Sequence, residues 1–118
     1  MSDPDCIFCK IIRGEIPCKK AYEDEELLGF HDIQPMAPVH VLLIPKLHIT
    51  SLAECDTSHQ AVLGKMLLLA PKIAREQGAE NGFRSVVQTG WVGGQEVYHL
   101  HLHILGGPQK LPRMIPRA

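Results

Sequence analysis

Three histidines alternate with leucines in the run His99-Leu100-His101-Leu102-His103. On an extended chain, residues two apart share a face. The run therefore reads as a strand with leucines on one side and a row of three imidazoles on the other. Polar strand faces usually mix threonine, lysine, glutamate and serine, so three histidines on one face suggest chemistry. Imidazole titrates near neutrality, so it can attack, carry a proton or, once protonated, bind an anion. Neutral imidazole also ligates metals, and alternating histidines can converge on zinc. Upstream, Gly93-Gly94-Gln95 allows close backbone approach to a ligand, with free N–H groups and an amide side chain to hold an anion. That pairing fits phosphate chemistry better than a closed metal cage. A second candidate group is Cys6 and Cys9, which share one face of a short helix at i, i+3. Zinc there requires two more ligands; the alternative is a pair of buried thiols. Cys18 and Cys55 lie in no motif.

The elements that must position these residues follow from the pattern. Asp5 caps a short helix over 6–13, with Gly14 at its end. Extended segments are expected at 21–23 and 27–31, with a solvated acidic turn between them. Val-His-Val-Leu-Leu-Ile at 39–44, bounded by Pro38 and Pro45, reads as a buried strand. Thr57-x-x-Gln60 has the form of a capping box and opens one long helix to about residue 77, stopped by Gly78. Val62, Met66, Leu69 and Ile73 form its buried stripe, and Leu63, Leu67 and Leu68 widen the apolar surface, which suggests either a deep core position or a helix that meets a partner subunit. Pro71 should kink it. Strands are expected at 83–89 and 97–105, the second carrying all three histidines. Helices and strands do not alternate regularly, so the fold class is α+β with an antiparallel sheet. His31 is expected as a strand residue and His59 as a solvated helix position, and Trp91 lies in a turn.

Composition bounds the rest. The chain has 118 residues, 45% hydrophobic and 21% charged, enough for one core and one domain over 1–118. A net charge of −1 gives no basic footprint for nucleic acid or an anionic membrane. No apolar run approaches the ~20 residues of a membrane span, and the acidic start does not resemble a signal peptide. A cytoplasmic protein with reduced cysteines is expected.

From Cys6 to Gly107 the chain resembles the histidine-triad (HIT) family, and within it the Hint branch. The resemblance rests on His99-Leu100-His101-Leu102-His103-Ile104-Leu105-Gly106-Gly107, Cys6-Ile7-Phe8-Cys9-Lys10-Ile11-Ile12, Phe30-His31-Asp32-Ile33, Pro38-Val39-His40, Ile44-Pro45-Lys46-Leu47-His48 and Gly93-Gly94-Gln95-Glu96-Val97-Tyr98. It implies a five-stranded antiparallel sheet with one long and one short helix, paired in a homodimer. It also implies a hydrolase that binds AMP or GMP and cleaves the P–N bond of purine nucleoside phosphoramidates through a nucleotidyl-histidine. By that resemblance His101 is the nucleophile, His40 supports it, and His103 and Gln95 contact the α-phosphate. Gly94 lies in the loop beside them. Asp32 takes the ribose hydroxyls, and Ile33 lies near the base. Relatives with this Cys-x-x-Cys bind a structural zinc, here implying Cys6, Cys9, His48 and His99. Gln88 stands where the branch often has Asn near the phosphate, and Glu96 where many members have Ser or Thr near the leaving group. The tail, 108–118, is where the family reaches its partner's site. Two other readings stay open: a nucleotide-binding regulatory protein of weak activity, and a dinucleoside-polyphosphate hydrolase, against which Leu105-Gly106-Gly107 speaks.

Overall fold

A computed structural model describes residues 3–115. The chain runs α1 (Ile7–Ile12), β1 (Lys20–Glu23), β2 (Leu27–His31), β3 (Val39–Pro45), α2 (Gln60–Glu76), β4 (Phe83–Val86) and β5 (Leu102–Gly106), with single 3-10 turns at Leu52–Glu54 and Thr57–His59. The strands form one antiparallel sheet in the order β1-β2-β3-β5-β4. This is the expected α+β, HIT-like architecture. Among the described residues no helix is long and apolar enough to cross a membrane.

Both faces of the sheet are covered. On one, α2 packs Met66, Ala70, Ile73 and Ala74 against Leu27, Val41, Leu43, Leu102 and Ile104. On the other, Phe8 of α1 closes over Leu28, Phe30, Leu42 and Ile44. Every residue of β3 is buried as a result, which is why its sequence is a continuous apolar run broken only by His40. Strand register puts His103 opposite Leu42 and Leu105 opposite His40, both pointing to the α1 side. The histidine face is thus partly roofed by a second apolar cluster and is not a bare polar surface.

Both helices end as expected. Gly14 and Gly78 take φ of +83° and +106°. At each, the two amides following the helix turn back onto its last carbonyls: Gly14 N–H to Ile11 and Glu15 N–H to Lys10, then Gly78 N–H to Arg75 and Ala79 N–H to Ala74. The starts differ. The cap of α1 is Cys6, not Asp5, with its sulfur accepting the Cys9 N–H. The box before α2 is Asp56 with His59, one residue earlier than Thr57 with Gln60, and His59 Nδ1 accepts the Asp56 N–H. α2 runs through Pro71 as one helix; the carbonyl that loses its amide partner belongs to exposed Leu67. β4 stops three residues short of expectation. Leu67 and Leu68 stay exposed.

The acidic turn is tied down, contrary to expectation. Asp24 accepts the Glu26 and Leu27 amides and the Tyr22 hydroxyl, while Lys65 of α2 bridges Asp24 and Glu26 at 2.9 Å each. Burial opposes ionisation of Asp24, but the hydrogen bonds from Tyr22, Lys65 and the two amides outweigh it and hold the carboxyl well below the carboxylate range. This knot locks the β1–β2 hairpin to α2. Asp24→Ala should lower the unfolding free energy by about 1–3 kcal/mol, because two amides and a hydroxyl lose their acceptor. Lys65→Ala, which breaks only half-exposed ion pairs, should lower it by less than about 1 kcal/mol. Urea denaturation of the two variants should give that order.

Candidate functional site

Only His103 lies on β5; His99 and His101 precede it. β3 ends at Pro45, which has no amide hydrogen to continue the ladder, and the Pro45 carbonyl accepts His99 Nε2–H at 2.7 Å. Pairing of β3 with β5 therefore begins at Leu43–Leu102. The Leu100 N–H instead meets the Ile49 carbonyl at 2.7 Å. The expected strand over 97–105 is thus cut at its first half, and the three rings divide between two clusters.

In the first cluster, hydrogen bonds dictate where each proton sits. His40 Nδ1 accepts the Met36 N–H at 3.0 Å, so in the neutral ring Nε2 carries the hydrogen. That atom lies 2.9 Å from His103 Nδ1, which accepts it. The remaining hydrogen of His103 is on Nε2, which is buried and has no partner among the described residues. His101 is the opposite: its Nδ1–H donates to the His99 carbonyl at 2.7 Å, leaving Nε2 a bare lone pair. The two rings stand 4.9 Å apart, centre to centre. Burial pushes His101 and His40 below the ordinary imidazole value and His103 down to about 4, with His101 and His40 adding to the effect on His103. The site therefore sets a neutral nucleophilic nitrogen beside a neutral N–H donor. Asp32 completes it, with one oxygen 3.5 Å from His40 Nε2 and the other accepting the Gln34 N–H. His40 reaches His103, not His101 as the resemblance implied. Asp32, His40 and His103 are close enough to suggest a metal. Their tautomers speak against it, since the nitrogen His40 turns to the group carries a hydrogen.

The second cluster brings Cys6 and Cys9 at the start of α1, His48 after β3 and His99 before β5 together from three places in the chain. His99 Nδ1 is 3.4 Å from Cys6 Sγ, 3.6 Å from Cys9 Sγ and 3.2 Å from His48 Nδ1, and Cys9 Sγ is 3.3 Å from His48 Nδ1. A tetrahedral zinc at ordinary bond lengths separates two nitrogens by about 3.3 Å and a sulfur from a nitrogen by about 3.6 Å. His99 Nε2–H is fixed on Pro45, so Nδ1 is the bare nitrogen facing the group. Donor types, spacing and tautomer all fit the ion.

Other candidates fall into place around these two. Gln95 is buried, and both its amide hydrogens are spent on the Thr50 and Val97 carbonyls while its oxygen accepts the Gly90 N–H. It braces the glycine loop and has no hydrogen left for a phosphate, a correction to the expected role. Gly94 has φ +84°, and a Cβ there would press on the Gln88 amide at 3.1 Å, so these two residues pack together. Glu96 and Ile33 are exposed, as is Trp91. Two site residues escaped the sequence reading. Met36 contributes a backbone amide, which no side-chain pattern marks. Phe8, between the two cysteines, sets its ring edge-on to His101 at 5.2 Å and His99 at 5.9 Å.

Residues 5–116 match the family model described as scavenger mRNA decapping enzyme C-term binding. The purine nucleoside phosphoramidase of Escherichia coli is 46% identical over 104 residues, 87% of each chain. A 14 kDa zinc-binding protein of Zea mays is 46% identical over 111 residues, 92% of this chain and 87% of that one. The crystal structure of a histidine triad protein from Clostridium difficile superposes with a TM-score of 0.91 at 46% identity, covering 98% of this chain and all of that one. The chain belongs to the histidine-triad family.

Neutral His40 and His103 have a consequence for stability. In the unfolded chain both return toward 6.5, so below that pH the unfolded state binds more protons than the folded one. Their contribution is present above 6.5 and is lost as pH falls toward 4. Urea midpoints of chelator-treated protein should decline across that window; a flat profile would mean the rings are not held neutral.

Proposed function

We propose that the protein hydrolyses the phosphorus–nitrogen bond of purine nucleoside 5′-phosphoramidates, releasing the nucleoside monophosphate and an amine. The observation that carries this reading is the opposed pair of tautomers, a bare Nε2 on His101 beside an N–H on His103. In-line attack on a phosphorus shielded by oxygens needs a nucleophile held in place and a donor for the charge on those oxygens. His101 Nε2 forms a bond to phosphorus as the P–N bond breaks, and the departing amine takes up a proton from solvent. Water then attacks the same phosphorus and gives a proton back to solvent, the bond to Nε2 breaks, and the ring recovers its lone pair. His103 holds the phosphate, with Gln88 and the Gly94 backbone beside it. His40 fixes the His103 tautomer. Asp32 receives the ribose hydroxyls, Ile33 lines the base, and Glu96 lies toward the leaving amine. The 46%-identical E. coli relative, named a purine nucleoside phosphoramidase, supports the substrate class.

The reading includes one structural zinc on Cys6, Cys9, His48 and His99, supported by the donor spacing and by the name of the maize relative. Bound there, the ion supplies charge to hold two thiolates and closes a four-ligand set with no open position. It also includes a cytoplasmic homodimer acting on free nucleotides, with no nucleic acid or membrane partner. The open β4 edge and exposed Leu67 and Leu68 support the dimer, and the protein is one domain whose last residues, 116–118, lie outside the described part.

Two measurements test this. His101→Ala should lower kcat on adenosine phosphoramidates by at least about a thousandfold with AMP affinity nearly unchanged, and a chiral phosphorus should be turned over with net retention. Inversion would remove the covalent step; tight AMP binding by wild-type protein without turnover of any phosphoramidate would favour a regulatory role. Protein purified without chelator should carry about one zinc per chain and sediment at twice 13.1 kDa. A metal-free 13.1 kDa species would overturn both structural claims.

A further inference from the structure

His99 belongs to both clusters. Its ring is held at both nitrogens, Nδ1 against Cys6, Cys9 and His48 and Nε2–H on the Pro45 carbonyl, while its own carbonyl is the acceptor that holds His101 Nδ1–H at 2.7 Å. The neighbouring amide, Leu100 N–H, is tied to the Ile49 carbonyl, one residue past His48. Gln95 ties the same segment through the Thr50 carbonyl. The peptide that sets the His101 tautomer is therefore pinned on one side by a ring in the thiol–imidazole cluster and on the other by the segment that supplies His48. The roof has the same attachment: Phe8, wedged against the His101 ring, sits on α1 between Cys6 and Cys9.

We propose that His99 is a positioning residue for His101, and that the Cys6–Cys9–His48–His99 cluster, when it holds its metal, fixes the tautomer of the nucleophile through the His99 carbonyl. Without a cation, two imidazole nitrogens face each other at 3.2 Å, held only by weak hydrogen bonds from the two thiols. The cluster then relaxes by turning the His99 ring off the Pro45 carbonyl, which leaves the His99–Leu100 peptide held only from the Ile49 side and lets its carbonyl tilt. Once that acceptor shifts, His101 has no reason to keep its hydrogen on Nδ1, and a fraction of molecules turns an N–H toward the substrate in place of a lone pair. Loss is then in kcat, because substrate binding through Asp32 and His103 does not pass through the cluster.

The proposal rests on His101 acting as nucleophile, so its test includes a readout independent of turnover. Nitrogen-15 spectra of the imidazoles report which nitrogen of His101 carries the hydrogen. Zinc-loaded protein at pH 7.5 should show a single Nδ1–H form; metal-free protein, folded by circular dichroism, should show both forms. Its kcat on an adenosine phosphoramidate should drop about ten- to a hundredfold, with KM within a factor of about two. Re-addition of zinc should restore both. His99→Cys covers the case in which metal-free protein does not fold. It retains a zinc ligand at that position but has no second nitrogen for Pro45. It should bind zinc, show mixed His101 tautomers and lose kcat with little change in KM. A single Nδ1–H form in folded metal-free protein overturns the coupling to the metal, and a single form in zinc-bound His99→Cys overturns the positioning role of His99, whatever the activity. Mixed tautomers in both, with no phosphoramidate turnover by the wild type, leave the coupling standing and remove the proposed reaction.

Discussion

The hydrogen bond from His101 Nδ1 to the His99 carbonyl spans only two residues, yet much of the molecule is arranged to keep it. A histidine free to rotate presents either nitrogen, and a neutral imidazole in water interconverts its tautomers. Here the acceptor is a backbone atom whose position is set by a ring lodged between two cysteines and a proline carbonyl. The termination of β3 at a proline makes this geometry available: with no amide at residue 45 and its carbonyl given to His99, the chain leaves the ladder and turns the histidines toward different neighbours. A regular strand would have put three rings in a row and given each the same surroundings.

Covering both faces of the sheet has a second effect. The α2 side carries the ordinary core, and the α1 side brings Phe8, Phe30 and Leu42 up to the histidines. That cover removes water from the rings and lowers their proton affinity. A protonated His101 would carry charge but no lone pair at Nε2. Burial favours the neutral form, while hydrogen-bond direction decides which nitrogen keeps the lone pair. The two effects are separable, and the same apolar cover serves all three rings even though their neighbours assign them different tasks.

Local rules made much of this fold legible. Proline boundaries and a β-branched run marked β3, a helical stripe marked α2, and Gly14 and Gly78 announced the helix ends because a left-handed residue is needed there. The helix starts were less legible, since Asp56 with His59 and Thr57 with Gln60 both satisfy a capping pattern and only the fold chooses. The acidic turn looked solvated because Lys65, which pairs with it, is 39 residues from Glu26 in sequence. The same limit explains Gln95. Its composition and place in a glycine loop suggest a ligand donor, but the carbonyl that takes its hydrogen belongs to Thr50, 45 residues away. Pattern can locate a polar side chain near a site; whether its hydrogens remain free depends on partners that sequence separation hides.

That distinction also bears on where the chain departs from the family's commoner residues. Gln88 is not free to point anywhere, because Gly94 leaves room for its amide and a Cβ there would not. The longer side chain and the glycine form one packed unit, and on the proposed reaction the loop backbone and the amide would meet the phosphate together. Glu96 is the opposite. Its neighbours Gln95 and Val97 are joined through the Gln95 amide and the Val97 carbonyl, while its own side chain is exposed. A braced backbone with an exposed carboxylate places negative charge beside the loop. Such a charge acts through the field it creates, which is weakened by water and salt; on the proposed reaction it would tune preference among amines more than dictate one. On the proposed reaction, the braced part of this loop would serve the phosphate and its exposed part the group that leaves.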